Sequence, residues 1–212
     1  MINPVMILKK NILYWKIGIL SAPSFFRWIR AGFRGPAPHF VKMSFLRLAH
    51  DVDVWIETGT YLGQTTRKLS TMGNRVISIE PSEEFATNAG AQLASLTNIQ
   101  IVNALSEDVL EQIVSSIEQS KEKNIAFWLD GHFSAGNTFL GPVETPIESE
   151  LKIISSHLEG FDTVWVFVDD FRCFVQASKD YPSPSVLVDW ASQHNLSWTI
   201  ENDIFLATNA VL

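Results

Sequence analysis

Cysteine is nearly absent: Cys173 stands alone in 212 residues. One thiol builds neither an intrachain disulfide framework nor a cysteine-based zinc site, and it favours a reducing, cytoplasmic setting. In the run "FRCF" it reads as a buried residue rather than a nucleophile. Uninterrupted apolar runs are missing as well. The most apolar stretch, "ILYWKIGILSAPSFF", is broken by Lys16 and Pro23 and is followed by no small-residue cleavage site. That argues against both a membrane span and a signal peptide, and the expectation is a cytoplasmic chain that is soluble or peripherally attached to a membrane. Disorder is not suggested either: 46% hydrophobic and 18% charged residues suffice for one substantial core and a single folded domain.

The third absence is the most informative, because residues 1–50 contain no Asp or Glu. They hold Lys9, Lys10, Lys16, Arg27, Arg30, Arg34, Lys42 and Arg47, so this segment carries +8 and the remainder, with eight basic and 23 acidic residues, carries −15. Trp15, Phe25, Phe26, Trp28, Phe33 and Phe40 alternate with the charges. Two readings stay open for this basic aromatic N-terminal extension. In one it is an interfacial helix for anionic lipid or a platform for an anionic or glycan substrate. In the other its aromatics pack on the domain or across a homodimer, with the basic side chains solvated. The acidic body disfavours nucleic acid as a partner.

From residue 51 to 212 strands and helices alternate. "VDVWIE" runs into Gly59 and Gly63, and "QTTRKLSTMG" follows as a short helix ended by Gly73. "RVISIE" is a second strand. Ser82 with Glu83 and Glu84 starts a helix expected to reach about Leu96, before the strand "IQIVN". Ser106 with Glu107 and Asp108 repeats the device, and the helix it starts carries Val109, Leu110, Ile113, Val114 and Ile117 on one face. "NIAFWLD" is a continuous apolar strand. Thr145 as cap, Pro146 at the first helical position and Glu148 as capping partner then predict a helix through His157. "TVWVFVDD" is a fifth strand, residues 185 to 194 a helix, and "LSWTI" and "IFLAT" form a hairpin around Glu201, Asn202 and Asp203. Such alternation implies an α/β fold with a mostly parallel sheet covered on both faces and a ligand site beyond the carboxyl ends of its strands.

Glu57, Glu80, Asp130, Asp169 and Asp170 all terminate strands at that edge, so the ligand should be cationic. A carboxylate two residues before the first glycine of "ETGTYLG" would repel the pyrophosphate of a dinucleotide. S-adenosylmethionine has no phosphate and carries a sulfonium and an ammonium, while Glu80 at the second strand end is placed to accept from both ribose hydroxyls. Ser106 stands after the third strand, where its role as a helix cap is sufficient explanation. Arg172 reads as a solvated side chain, with contact to an acidic substrate group as the alternative.

The runs "ETGTYLGQTT", "ISIEPS", "FWLDGHFSAGNT", "TPIESEL" and "VFVDD" resemble class I S-adenosylmethionine-dependent methyltransferases over about residues 51 to 209. Within them they resemble the macrocin-type sugar O-methyltransferases. The resemblance implies a Rossmann-like sheet of seven strands with an antiparallel last strand. It implies cofactor contacts from Glu57, Thr58, Gly59, Thr60, Gly63, Thr65, Glu80, Ser106 and Asp130, a magnesium ion held by Asp130, Asp169 and Asp170, and catalysis involving Asp130 and His132. The acceptor would be a small molecule or glycan, methylated on a hydroxyl whose pKa the hard cation lowers. A metal-independent methyltransferase with His132 as general base stands beside this, as does a cofactor-binding scaffold without turnover.

Overall fold

The computed structural model describes residues 22–33, 35–130, 145–175 and 181–211. Helix α1 (Ala22–Arg30) and helix α2 (His39–Phe45), with a 3-10 turn at Leu46–Leu48, precede the sheet. Then come β1 (Val52–Thr58), α3 (Gln64–Leu69), β2 (Gly73–Glu80), α4 (Glu83–Leu93), β3 (Ile99–Asn103), α5 (Ser106–Glu118) and β4 (Asn124–Leu129). After residue 144 follow α6 (Ile147–His157), β5 (Thr163–Val168), α7 (Arg172–Val175), α8 (Ser185–Gln193), β6 (Ser197–Glu201) and β7 (Ile204–Thr208). The seven strands lie in the order β3-β2-β1-β4-β5-β7-β6. The first five pair in parallel, and β7 runs antiparallel to both β5 and β6. This is the mostly parallel seven-stranded sheet that the alternation and the resemblance imply.

Side chains alternate across a strand, so each central strand feeds two cores. Val54 and Ile56 of β1 point to a face closed by Leu110, Val114 and Ile117 of α5, Ile147, Leu151 and Ile154 of α6, and Leu187 and Trp190 of α8. Trp55, between them, points to the other face with Trp128, Trp165 and Phe167. There the ring planes of Trp165 and Phe167 stack at 6.4 Å. What closes this second face is the N-terminal segment: Met43, Phe45, Leu46 and Ala49 are buried in it together with Leu69 of α3. Residues 39–49 are therefore core of the same body as the sheet. Helix α1 packs on α2 through Trp28 and Val41, with Phe25 and Phe40 beside them.

Several local expectations shift. Helix α5 starts at Ser106 with Leu105 in the capping position, so Ser106 is no cap; its hydroxyl donates to Glu107 Oε2 at 3.2 Å. Pro146 occupies the capping position of α6, one residue later than its predicted place, and Thr145 lies outside the helix. Helices α3 and α4 end at Leu69 and Leu93, and β2 begins at Gly73 itself, where a Cβ would stand 2.6 Å from Trp55 Cδ1. The hairpin turn is two residues long. Asn202 and Asp203 have φ of 57° and 66°, the pair of left-handed residues that matches the twist of the flanking strands, and Glu201 belongs to β6.

His157 ties α6 to α5 at the back of the sheet. Its Nδ1–H donates to Glu118 Oε2 at 2.6 Å and its Nε2–H to Glu111 Oε1 at 3.0 Å. Burial works to lower the imidazole pKa, but the two carboxylates win and hold it above the ordinary value of 6.5. A raised folded-state pKa contributes stability that is present below the ordinary value and is lost as pH rises through the folded one. His157→Gln should therefore cost roughly 1–2 kcal/mol in mildly acid solution. The difference in Tm between the two proteins should be largest at about pH 5.5 and shrink towards about pH 8, as differential scanning calorimetry would record.

Candidate active site

The parallel register sets four strand ends side by side. Gly59 N–H donates to Ile79 O of β2 at 2.9 Å, Asp130 N–H to Thr58 O of β1 at 3.1 Å, and Asp169 N–H to Leu129 O of β4 at 3.0 Å. Along the edge the order is thus Glu80, Thr58, Asp130, Asp169. The turn after β1 depends on left-handed backbone at Gly59 (φ 90°), Tyr61 (φ 46°) and Gly63 (φ 70°). Gly63 caps α3, and a Cβ there would meet Leu93 Cδ1 at 2.9 Å, so its smallness serves the packing of α4 against the turn.

Glu57 is completely buried. Its Oε2 accepts from Thr66 Oγ1 at 2.5 Å and Ser78 Oγ at 2.6 Å, and Ser78 Oγ is 2.5 Å from Thr60 Oγ1. Oε1 has no hydrogen-bond partner among the described residues. Burial pushes the carboxyl up to about 7, against the two hydroxyl donors and with the Glu80 charge adding to it. Glu80 is held by the backbone: Oε2 accepts from Tyr61 N–H at 2.8 Å and Oε1 from Ser82 N–H at 3.0 Å. A carboxylate has about four lone-pair sites, so each oxygen of Glu80 keeps capacity for another donor.

The other predicted cofactor residues divide. Thr60 is buried in the Glu57 network, and Thr66, which the sequence reading passed over, is the residue that anchors it. Thr65 is half-buried and meets His39 Nε2 at 3.3 Å. Thr58 Oγ1 is buried without a hydrogen-bond partner among the described residues. Asp130 is half-buried at the β4 end, Ser106 sits in the first turn of α5, and His132 lies outside the described residues.

Beyond β5 the arrangement departs from expectation. Lys42 of α2 is only 7% exposed, and its Nζ lies 2.5 Å from Asp169 Oδ1 and 2.7 Å from Asp170 Oδ1. Arg172 forks onto both Asp170 oxygens, at 2.5 and 2.9 Å, and also pairs with Asp203 of the hairpin turn. It is a clamp rather than a solvated side chain. Burial works against the Lys42 charge, but Asp169 and then Asp170 outweigh it and hold the ammonium well above the ordinary lysine range. Burial pushes Asp169 up to about 6, with Lys42 only partly offsetting it, so the pair is ionised at neutral pH. His39 is held below the ordinary histidine value by burial and then by Lys42 and Lys68, which makes it neutral there. Burial raises the Cys173 thiol, consistent with an inert cysteine.

These residues do not fit the expected magnesium site. Among the described residues no three His, Cys, Asp or Glu side chains are grouped to hold a metal ion. The donor set explains it: the repulsion between Asp169 and Asp170 is offset by an ammonium and a guanidinium of the same chain, which stand where a hard cation would bind. Lys42 and Arg172 were legible only indirectly, since a lysine inside the apolar run "FVKMSF" of a segment without acids must find its carboxylate elsewhere in the chain.

No protein-family model matches the chain, and no curated protein is significantly similar to it. Among solved structures it is similar to a putative rRNA methylase from Clostridium thermocellum, with 12% identity over 79% of this chain and 93% of that one and a TM-score of 0.51. It is also similar to precorrin 8w decarboxylase from Methanobacterium thermoautotrophicum, with 15% identity over 84% and 92% and a TM-score of 0.51. At such identity the likeness establishes the fold, which is the Rossmann-like class I methyltransferase fold.

Removing Lys42 leaves buried Asp169 beside Asp170 without the ammonium between them, while Asp170 keeps Arg172. Lys42→Met should cost about 3–5 kcal/mol and lower Tm by roughly 10 °C. Arg47→Met, at an exposed position, should stay within about 0.5 kcal/mol. Chemical denaturation of both variants checks the contrast, and equal shifts would mean that Lys42 contributes no more than a surface charge.

Proposed function

We propose that this chain is an S-adenosylmethionine-dependent methyltransferase that methylates a hydroxyl of a sugar or glycoconjugate without a divalent metal. The observation that carries the proposal is the pair of buried carboxylates, Glu57 and Glu80, on either side of the Gly59 turn. A turn flanked by two acids suits a cofactor that is cationic, bears a ribose and lacks phosphate. The residues fit that group. Gly59, at φ 90°, presents bare backbone. Glu80 keeps acceptor capacity for ribose hydroxyls beyond the two amides it already binds. Glu57 has one oxygen without a hydrogen-bond partner among the described residues, a complement to an ammonium.

When bound, the cofactor supplies an electrophilic methyl on sulfur. The chain's own part is to align the acceptor and take its proton. The hydroxyl oxygen forms the new bond to carbon as the carbon–sulfur bond breaks, and its proton passes to a base. His132, two residues after Asp130, is the base the sequence nominates. The preference for a sugar hydroxyl rests on the resemblance of the runs around Asp130 and Asp169–Asp170 to sugar-modifying enzymes. The metal-free reading rests on Lys42 and Arg172, which already balance those aspartates.

Isothermal calorimetry with S-adenosylhomocysteine tests the cofactor assignment. Glu57→Gln and Glu80→Gln should each weaken binding about tenfold to a hundredfold, the loss expected for one charge-assisted contact. Because Glu57 has its pKa raised to about 7, the ammonium meets a neutral carboxyl below that value and a carboxylate above it. Affinity should therefore rise as pH is increased through about 7. Equal binding of NAD, or no binding of the thioether by folded protein, rejects the assignment. Methyl transfer to sugar acceptors should persist in chelator and fall with His132→Ala. A requirement for magnesium would return the three aspartates to a metal-binding role.

A further inference from the structure

We infer that α1 is a docking surface for anionic lipid bilayers, an attachment independent of the methyl-transfer reading. Helix α1 turns Trp28 inward, 9% exposed, against Ala37 and Val41. Its opposite side is apolar too. Phe26 is 61% exposed and Ile29 38%, three residues apart and so on one helix face, and Phe33, just beyond the helix, is 61% exposed. Arg27 and Arg30 are exposed beside them. A water-facing helix has no use for a phenylalanine and an isoleucine on its outer side, whereas an interfacial helix needs apolar side chains to enter the acyl boundary and cations to meet headgroups; Phe33, by contrast, sets its ring edge-on to inward-facing Trp28 at 4.9 Å.

Two further observations choose the bilayer over other occupants. The 21 residues preceding α1 continue the same chemistry, with Lys9, Lys10 and Lys16, Trp15, many Ile and Leu, and no acid. The charge of the chain is also divided, +8 over residues 1–50 against −15 beyond them, so an anionic surface attracts one end and repels the other. A second copy of the chain would present the same cationic face and be repelled. RNA would be served by the arginines and could stack on Phe26, but it has no use for exposed Ile29, and the −15 body would repel its phosphates. Among the described residues no helix is long and apolar enough to cross a membrane; α1, at nine residues, is too short to span and would lie in the interface plane.

Co-sedimentation of the full chain with vesicles tests this. Phosphatidylglycerol–phosphatidylcholine vesicles should bind it at low salt and pure phosphatidylcholine much less. Raised salt should weaken the interaction, since exposed charges are screened over about 8 Å at physiological ionic strength. The double substitution Phe26→Ser with Ile29→Ser should lower the partition coefficient about tenfold or more. Its unfolding midpoint should stay at the wild-type value, because both side chains are exposed. The proposal is overturned by absence of binding to anionic vesicles at low salt, or by binding that the double substitution leaves unchanged. It is equally overturned if the substitution instead abolishes self-association or RNA binding. Calorimetry with S-adenosylhomocysteine reports on the pocket separately, so failure of either reading leaves the other standing.

Discussion

One buried ammonium organises this molecule. Lys42 leaves water at a cost no isolated charge can meet, and it is tolerated because Asp169 and Asp170 receive it within 2.7 Å. The pairing fixes more than two side chains. It sets α2 in place over the end of β5, which brings Met43 and Phe45 onto the Trp55–Trp128–Trp165 face and His39 to Thr65 at the start of α3. From Asp170 the charges continue through Arg172 to Asp203, in the turn between β6 and β7. A single run of alternating charge thus joins the segment before the sheet to the last hairpin after it, and it passes through the strand end at the candidate site.

Buried charge explains the other half of the edge as well. Glu57 is placed where burial opposes its ionisation, and three hydroxyls, on Thr66, Ser78 and Thr60, are gathered to make that burial tolerable. This accounts for a turn rich in threonine as well as glycine. Those hydroxyls keep the carboxyl from being wholly neutral, and one oxygen is left over for a partner the described residues do not supply. Glu80 is the contrasting case: two backbone amides fix its orientation. Two acids at neighbouring strand ends are thus set in different surroundings, one among hydroxyls and one on the backbone.

The mostly parallel sheet and its two covered faces were legible in the sequence because continuous apolar runs of five to seven residues, separated by capped helices, have few other solutions. The acids at the strand ends were legible for the same reason, since a strand's last residue is fixed by where its apolar run stops. The caps expected at Ser106 and Thr145 slipped by a single residue, to Leu105 and Pro146, neither of which makes a side-chain capping bond, because helix ends are the least sharply determined part of a helix. The magnesium expectation goes unsupported on a different ground. Three aspartates at adjacent strand ends state a need for positive charge, but not which cation meets it. The answer lay 127 and 128 positions upstream of Asp169 and Asp170, beyond the reach of any local pattern. Arg172 was misjudged likewise, since its partner Asp203 is distant in sequence and adjacent only through the antiparallel insertion of β7.

The division of charge along the chain acquires a mechanical sense once these contacts are drawn together. Of the basic residues before position 50, Lys42 is committed to the acidic body, whereas Arg27 and Arg30 remain outward. Between them α1 and α2 pack through Trp28 and Val41, and Phe25, Trp28 and Phe33 line a groove shared with Glu201, Asn202 and Asp203. Asp203 is the same residue that anchors Arg172. The proposed docking helix is therefore connected to Asp169 and Asp170 through the packing of α1 on α2 and the Lys42 ion pairs. Attachment through α1 would hold the carboxyl edge of the sheet near the surface, with the −15 body turned away by its own charge. Such an attachment gives the acid-free segment a reason to remain contiguous with the helix that completes the core.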